Sequence, residues 1–173
     1  SGVNKIFTDH EVLNALDNGN MTFSSANSIN WGRLVPQIVY YVSSYVSLAE
    51  SGEIAYGDKL NVVVPTGNFG NILAAYYAKQ MGVPIGKLIC ASNINKVLTD
   101  FIRTGVYDRN RQFYATTSPS MDILISSNLE RLLYLLTGED DAQVREWFTA
   151  LAESGRYEVT DAVKAKMSEL FYG

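Results

Sequence analysis

A chain of 173 residues with 47% hydrophobic and only 18% charged residues can bury a real core, so it reads as one globular domain or a large piece of one. Its formal net charge of -4 and sequence pI near 5.0 exclude nucleic acid and an anionic membrane as the main partner, because neither attracts an acidic face; a small molecule is expected. The single Cys90 offers neither a disulfide framework nor a zinc cluster, no stretch reaches transmembrane length, and SGVNKIFTDHEVL lacks the regions of a signal peptide, so a reducing cytoplasm is expected.

Thr8 and Glu11 form a capping box ahead of EVLNALDNG, a short helix stopped by Gly19, and MTFSS reads as a brief strand. Asn27 or Ser28 then caps a long helix to about Glu50, in which Val35, Ile38, Val42, Tyr45 and Ala49 keep the helical period. Pro36 falls early enough to be tolerated with a bend. Next comes VVVPTGNFGNILAAYYAKQMG, residues 62–82. The valines suit a strand buried on both faces of a parallel sheet, and Ile72, Leu73, Tyr76, Tyr77 and Met81 fall on one helix face that Gly82 and Pro84 end. KLICAS supplies a second strand, with Cys90 as a small core residue, which completes a βαβ unit of right-handed crossover. Leu60 to Val64 should lie beside Leu88 to Ala91. Asn95 to Thr104 reads as a helix, RQFYATTSPSMD as irregular, and Asn128 to Leu136 as an apolar helix closed by Gly138. Amphipathic helices over about Asp141 to Ser154 and Thr160 to Leu170 finish the chain. The pattern is α/β with a parallel sheet and a helical C-terminal part.

The segment Gly67 to Asn71 sits at a strand-to-helix junction. There the first N–H groups of the helix lack internal partners and the positive end of its dipole faces outward, so an anion, above all a phosphate, is the natural guest. A bland reading competes: Gly67 and Gly70 serve only the conformation of a turn. GNFGN lacks the GK[ST] ending of a Walker loop and the G-x-G-x-x-G spacing of a dinucleotide fold, which leaves a loop for one terminal phosphate, as in pyridoxal 5'-phosphate.

These residues carry a resemblance. PTGNFGNILAAYYAKQMGVP closely resembles the threonine synthases, fold-type II pyridoxal-phosphate enzymes whose Gly-Asn-Phe-Gly-Asn/Asp loop holds the cofactor phosphate. SSANSINWGRLVPQIVYY is similar to their Asn-Ser-Ile-Asn-x-x-Arg segment, ASNINKVLTDFIRTG to the next strand and helix, and TTSPSMDILISSNLERLL to their Ser-Pro-x-Met-Asp-Ile stretch. Four ordered matches cover roughly residues 24 to 136. The family's cofactor lysine and its Ser/Thr-Gly-Asp-Thr-Gly-type loop do not occur here. The resemblance therefore implies an internal piece of a longer enzyme, residues 1–173 being part of the three-layer, tryptophan synthase β-like large domain with 139–173 as a helical extension. Such a piece is expected to be inactive without the remainder of the chain.

The resemblance implies conversion of O-phospho-L-homoserine and water to L-threonine and phosphate, the last step of threonine biosynthesis. Two phosphates then need places. Gly67, Asn68, Phe69, Gly70 and Asn71 are assigned to the cofactor, and Ser28 and Arg33 to the substrate, with the Asn68 side chain between them. Arg offers a planar fork for phosphate oxygens and Ser28 a hydroxyl near a helix start. Against this, Ser28 could merely cap its helix and Arg33 could be a solvated charge. His10, the only histidine, has no partners for metal or triad chemistry, and Asp122 and Arg131 receive no role. Two alternatives stay open: another fold-type II lyase of threonine dehydratase or cysteine synthase type, and a threonine synthase-like protein that binds phosphorylated ligands without chemistry.

Overall fold

The computed structural model describes residues 2–24 and 26–173. Two short helices, α1 (Gly2–Phe7) and α2 (His10–Asn18), lead into the long α3 (Trp31–Glu50). Then come β1 (Leu60–Pro65), α4 (Gly70–Gln80) and β2 (Ile85–Ala91), followed by α5 (Val97–Thr104), β3 (Val106–Asp108) and a 3-10 turn at Pro119–Met121. The chain continues through α6 (Leu129–Thr137), α7 (Asp141–Ser154), β4 (Arg156–Glu158), α8 (Asp161–Leu170) and β5 (Phe171–Tyr172).

The expected βαβ unit is present. β1 and β2 pair in parallel from Val62 opposite Leu88 to Pro65 opposite Ala91, with α4 as the crossover. β5 adds to the far side of β2, also in parallel, giving the order β1-β2-β5. Within this chain β1 pairs on one side only; Val64 is buried, while Val63, also expected to be buried, is 61% exposed. The pairing slips between Leu60 and Val62, where the Asn61 side chain accepts the Lys87 N–H at 2.8 Å and fills the gap left in the ladder.

Several expected boundaries shift, each because a neighbouring polar side chain competes better. Asp9, not Thr8, caps α2 by accepting the N–H groups of Glu11 and Val12, while Thr8 Oγ1 donates to the Lys5 carbonyl. Asn30, not Asn27 or Ser28, caps α3 by accepting the Gly32 N–H at 2.9 Å; Asn27 folds the preceding turn by accepting from Ile29. The strand expected at MTFSS does not form over 21–24, and Ser25 lies outside the described residues. Phe23 instead meets the Phe7 ring at 4.7 Å. α5 begins at Val97, because Asn93 accepts the Asn95 N–H and bends the chain first.

The C-terminal stretch is helical as expected but also contributes strands. β3 and β4 pair antiparallel, stacking Tyr107 on Tyr157 at 5.4 Å with Phe101 edge-on to both rings. Burial pushes the Tyr107 hydroxyl up to about 12; it donates to the Leu124 carbonyl and accepts the Ser126 N–H. Among the described residues no helix is long and apolar enough to cross a membrane.

Candidate functional site

The glycine loop begins where β1 leaves the sheet. Thr66 closes the strand by donating its N–H to the Ala91 carbonyl at 2.8 Å and its hydroxyl to the Val64 carbonyl. Gly67 to Phe69 turn the chain, and α4 starts at Gly70, so the loop lies at the carboxyl edge of the parallel sheet, where open α/β folds place ligands. Phe69 holds the turn in the left-handed region, with φ 64° and ψ 0°, a conformation that costs a non-glycine residue of order 1–3 kcal/mol. Its ring offsets that strain by burial: it is 1% exposed and packs against Phe171 at 5.8 Å. No side chain caps α4, so its leading N–H groups stay open to a guest.

In front of them is a cavity of about 200 Å³, lined by residues 65–72 together with Ser28, Gln37, Ser120 and Met121. Both glycines of the loop are required by close approach. A Cβ on Gly70 would overlap the Cβ and Oγ of Ser28, and one on Gly67 would stand 3.1 Å from the Ser120 carbonyl oxygen. Open amides, a helix dipole and a cavity of this size beside them suit a phosphate group.

The structure brings Ser28 and the loop residues Gly67, Asn68, Phe69, Gly70 and Asn71 to this one cavity. Arg33 does not line it: the side chain is exposed and its Nε donates to the Ala26 carbonyl at 2.9 Å, on the segment that carries Ser28. Asn71 is fixed by Tyr41, whose hydroxyl shares its one proton between the Asn71 carbonyl and its Oδ1. Burial pushes the Tyr41 phenol up to about 12, so it remains a neutral donor.

Sequence reasoning missed the residue that ties the two walls together. Asn128, fully buried at the start of α6, donates its Nδ2 to Ser28 Oγ and to the Asn68 carbonyl, both at 2.9 Å, and its backbone N–H reaches the same carbonyl at 3.2 Å. Arg131 donates Nη1 to Asn128 Oδ1 at 2.6 Å and to the Ser28 carbonyl at 3.0 Å, and Nη2 to the Ile29 carbonyl. The available signal was one asparagine beside an apolar helix, which also fits an ordinary helix start.

Asp122 gains a role as well. It accepts from Thr116 N–H at 2.7 Å, Thr116 Oγ1 at 2.8 Å, Asn93 Nδ2 at 2.6 Å and Asn95 Nδ2 at 3.0 Å. These donors, the Thr116 N–H foremost, hold its carboxyl below the usual carboxylate range and pin the irregular stretch so that Ser120 and Met121 roof the cavity at Gly67. Cys90 is buried in the sheet, and burial pushes its thiol up. His10 is exposed on α2, and no group of side chains among the described residues could hold a metal ion.

No protein-family model matches the sequence. The chain is 50% identical to human threonine synthase-like 1 over 173 residues, which are 99% of this chain and 23% of that protein. It superposes on the crystal structure of PLP-bound threonine synthase from Brucella melitensis with a TM-score of 0.87 at 42% identity, covering 98% of this chain and 34% of that one. On yeast threonine synthase the TM-score is 0.82 at 41% identity, with 98% and 33% covered. The α/β three-layer fold is thus that of the fold-type II pyridoxal-phosphate enzymes, and the chain spans about a quarter to a third of the length of its relatives.

Proposed function

We propose, from the premise that this chain is homologous to one segment of the threonine synthases, that it supplies the phosphate-binding part of a pyridoxal-phosphate lyase. The reaction is conversion of O-phospho-L-homoserine and water to L-threonine and phosphate, carried out by the longer chain of which residues 1–173 form part of the cofactor-binding large domain. The observation that carries the reading is the uncapped start of α4, open to a cavity whose walls approach closely at Gly67 and Gly70.

The amides of Gly67 to Asn71 hold the cofactor phosphate at the positive end of α4, so it is bound by backbone that needs no reorganisation. When bound, the cofactor supplies the electron sink for carbanions beside the amino group. Ser28 donates its hydroxyl to the substrate phosphate, and Asn68 stands between the two sites. Arg33 lies outside the cavity lining, its Nε on the Ala26 carbonyl beside Ser28, and its remaining donors are assigned to the same phosphate. As the Cγ–O bond breaks, phosphate leaves with the electron pair, and these donors stabilise the charge that collects on it.

The test is turnover by the full-length chain loaded with cofactor. Equal amounts of threonine and phosphate from O-phospho-L-homoserine are expected. Cofactor and phosphate binding without turnover would instead establish the non-catalytic reading, which the 50% identity to a protein named only as threonine synthase-like keeps in play.

A further inference from the structure

We infer that Arg131 and Asn128 are positioning residues that fix the Ser28 hydroxyl as a hydrogen-bond donor toward the cavity and so select an anion there. The inference rests on the proposed reading of Ser28 as a ligand for the substrate phosphate. A guanidinium carries only donors, so the atom of Asn128 that faces Arg131 Nη1 at 2.6 Å is the carbonyl oxygen Oδ1. That contact settles the orientation of the amide and turns its NH₂ group to Ser28 Oγ at 2.9 Å. An NH₂ group also only donates. Ser28 Oγ is therefore the acceptor in that bond, and its single proton must go elsewhere.

The direction that remains open is the cavity. Ser28 lines it, and Gly70 stands against the Cβ and Oγ of Ser28 on one side. Each bond thus runs the same way, from Arg131 to Asn128, from Asn128 to Ser28, and from Ser28 outward. Aligned bonds polarise one another, so the charge of Arg131 strengthens the outermost donor without the guanidinium entering the site. Arg131 also fixes the Ser28 backbone by donating to its carbonyl at 3.0 Å. An acceptor-only group such as a phosphate dianion meets a donor already aimed at it.

The second Nδ2 bond of Asn128 goes to the Asn68 carbonyl, which joins the arrangement to the opposite wall. That carbonyl also receives the backbone N–H of Asn128 at 3.2 Å, so loss of the side chain leaves the loop one anchor. Cofactor binding is therefore expected to suffer less than anion binding at Ser28.

The experiment uses the full-length chain loaded with pyridoxal phosphate, with inorganic phosphate as the probe in calorimetric titration and cofactor occupancy read from absorbance. Ser28→Ala and Asn128→Leu should each weaken phosphate binding about tenfold, and the double variant should be no weaker than the weaker single. Arg131→Lys, which keeps the charge but loses the fork that grips Oδ1 and the carbonyls together, should weaken it about threefold, again with no added loss on Ser28→Ala. Full phosphate affinity in a folded Asn128→Leu protein, or a loss that persists undiminished on the Ser28→Ala background, overturns the relay. If Asn128→Leu does not fold, the Arg131→Lys pair decides by the same criteria. Unchanged phosphate affinity in Ser28→Ala alone would sink the assignment of Ser28 itself, leaving the relay nothing to serve.

Discussion

The two walls of the cavity are built in opposite ways. Gly67 to Asn71 join β1 to α4, and the residues around them, Phe69, Ile72 and Leu73, are core. What this wall offers a ligand is backbone, positioned by the sheet on one side and the helix on the other. The facing wall, residues 26–30, belongs to no helix or strand and holds its place through hydrogen bonds from the start of α6, roughly sixty residues beyond the glycine loop. What it offers is a side chain. A backbone wall can be abolished by one methyl group but not retuned, whereas a side-chain wall can be adjusted donor by donor.

Gly70 is where the walls touch, so replacing it breaks the contrast most severely. In Gly70→Val the added carbons displace Ser28 and crowd the loop together, an overpacking of about 1–3 kcal/mol. Cofactor affinity should fall up to about a hundredfold, read by equilibrium dialysis, with added pyridoxal phosphate partly restoring activity. Retention of tight cofactor binding would mean the cavity is not where the cofactor phosphate sits.

Arg33→Ala removes only a side-chain donor. If Arg33 serves the substrate phosphate, a charge-assisted contact worth ~1.5–3 kcal/mol is lost, so kcat/KM for O-phospho-L-homoserine should drop about tenfold or more with cofactor occupancy unchanged. Arg33→Lys should recover part of it. Unaltered kcat/KM would reduce Arg33 to a brace for the Ala26 carbonyl.

Tyr41→Phe sharpens the comparison from the backbone side, since it strips the brace from Asn71 without touching the loop. A loss of about 0.5–1.5 kcal/mol in stability is expected, seen as a lower Tm, with cofactor affinity down only a few-fold. The phenol of Tyr41 is raised to about 12 by burial, so the folded state favours its neutral form. Its contribution is complete below pH 10 and fades as the pH climbs from 10 toward 12; Tyr41→Phe should flatten that part of the profile.

The smallest effect concerns the roof. The Asp122 carboxyl is depressed by its donors, so its anchoring is complete above the ordinary value of 3.8 and is lost as the pH falls below that through the folded value. Hydrogen exchange at Thr116 and 120–122 should quicken in that acid range while β1 and β2 stay protected. Asp122→Asn should exchange quickly already at neutral pH.

How legible was this in the sequence? The backbone wall was, because a strand, a glycine turn and a helix are contiguous and each has its own periodicity. Ser28 was found through a motif, but its partners Asn128 and Arg131 lie a hundred residues away, and a contact of that range leaves no local pattern. The exposure of Val63 in this chain was hidden for a related reason: three consecutive valines report apolar content, not what covers each face. β3, β4 and β5, of two or three residues each, are too short to show a period of two.

Where the cofactor phosphate lies is measured most directly in an experimental structure of the full-length chain with pyridoxal phosphate bound. The phosphate oxygens are expected about 2.7–3.2 Å from amide nitrogens within Gly67 to Asn71, with the Ser28 hydroxyl left for a second anion. Phosphate density on Ser28 and Arg33, or at any place away from the start of α4, would contradict the division of the cavity into a backbone-built cofactor site and a side-chain-built substrate site.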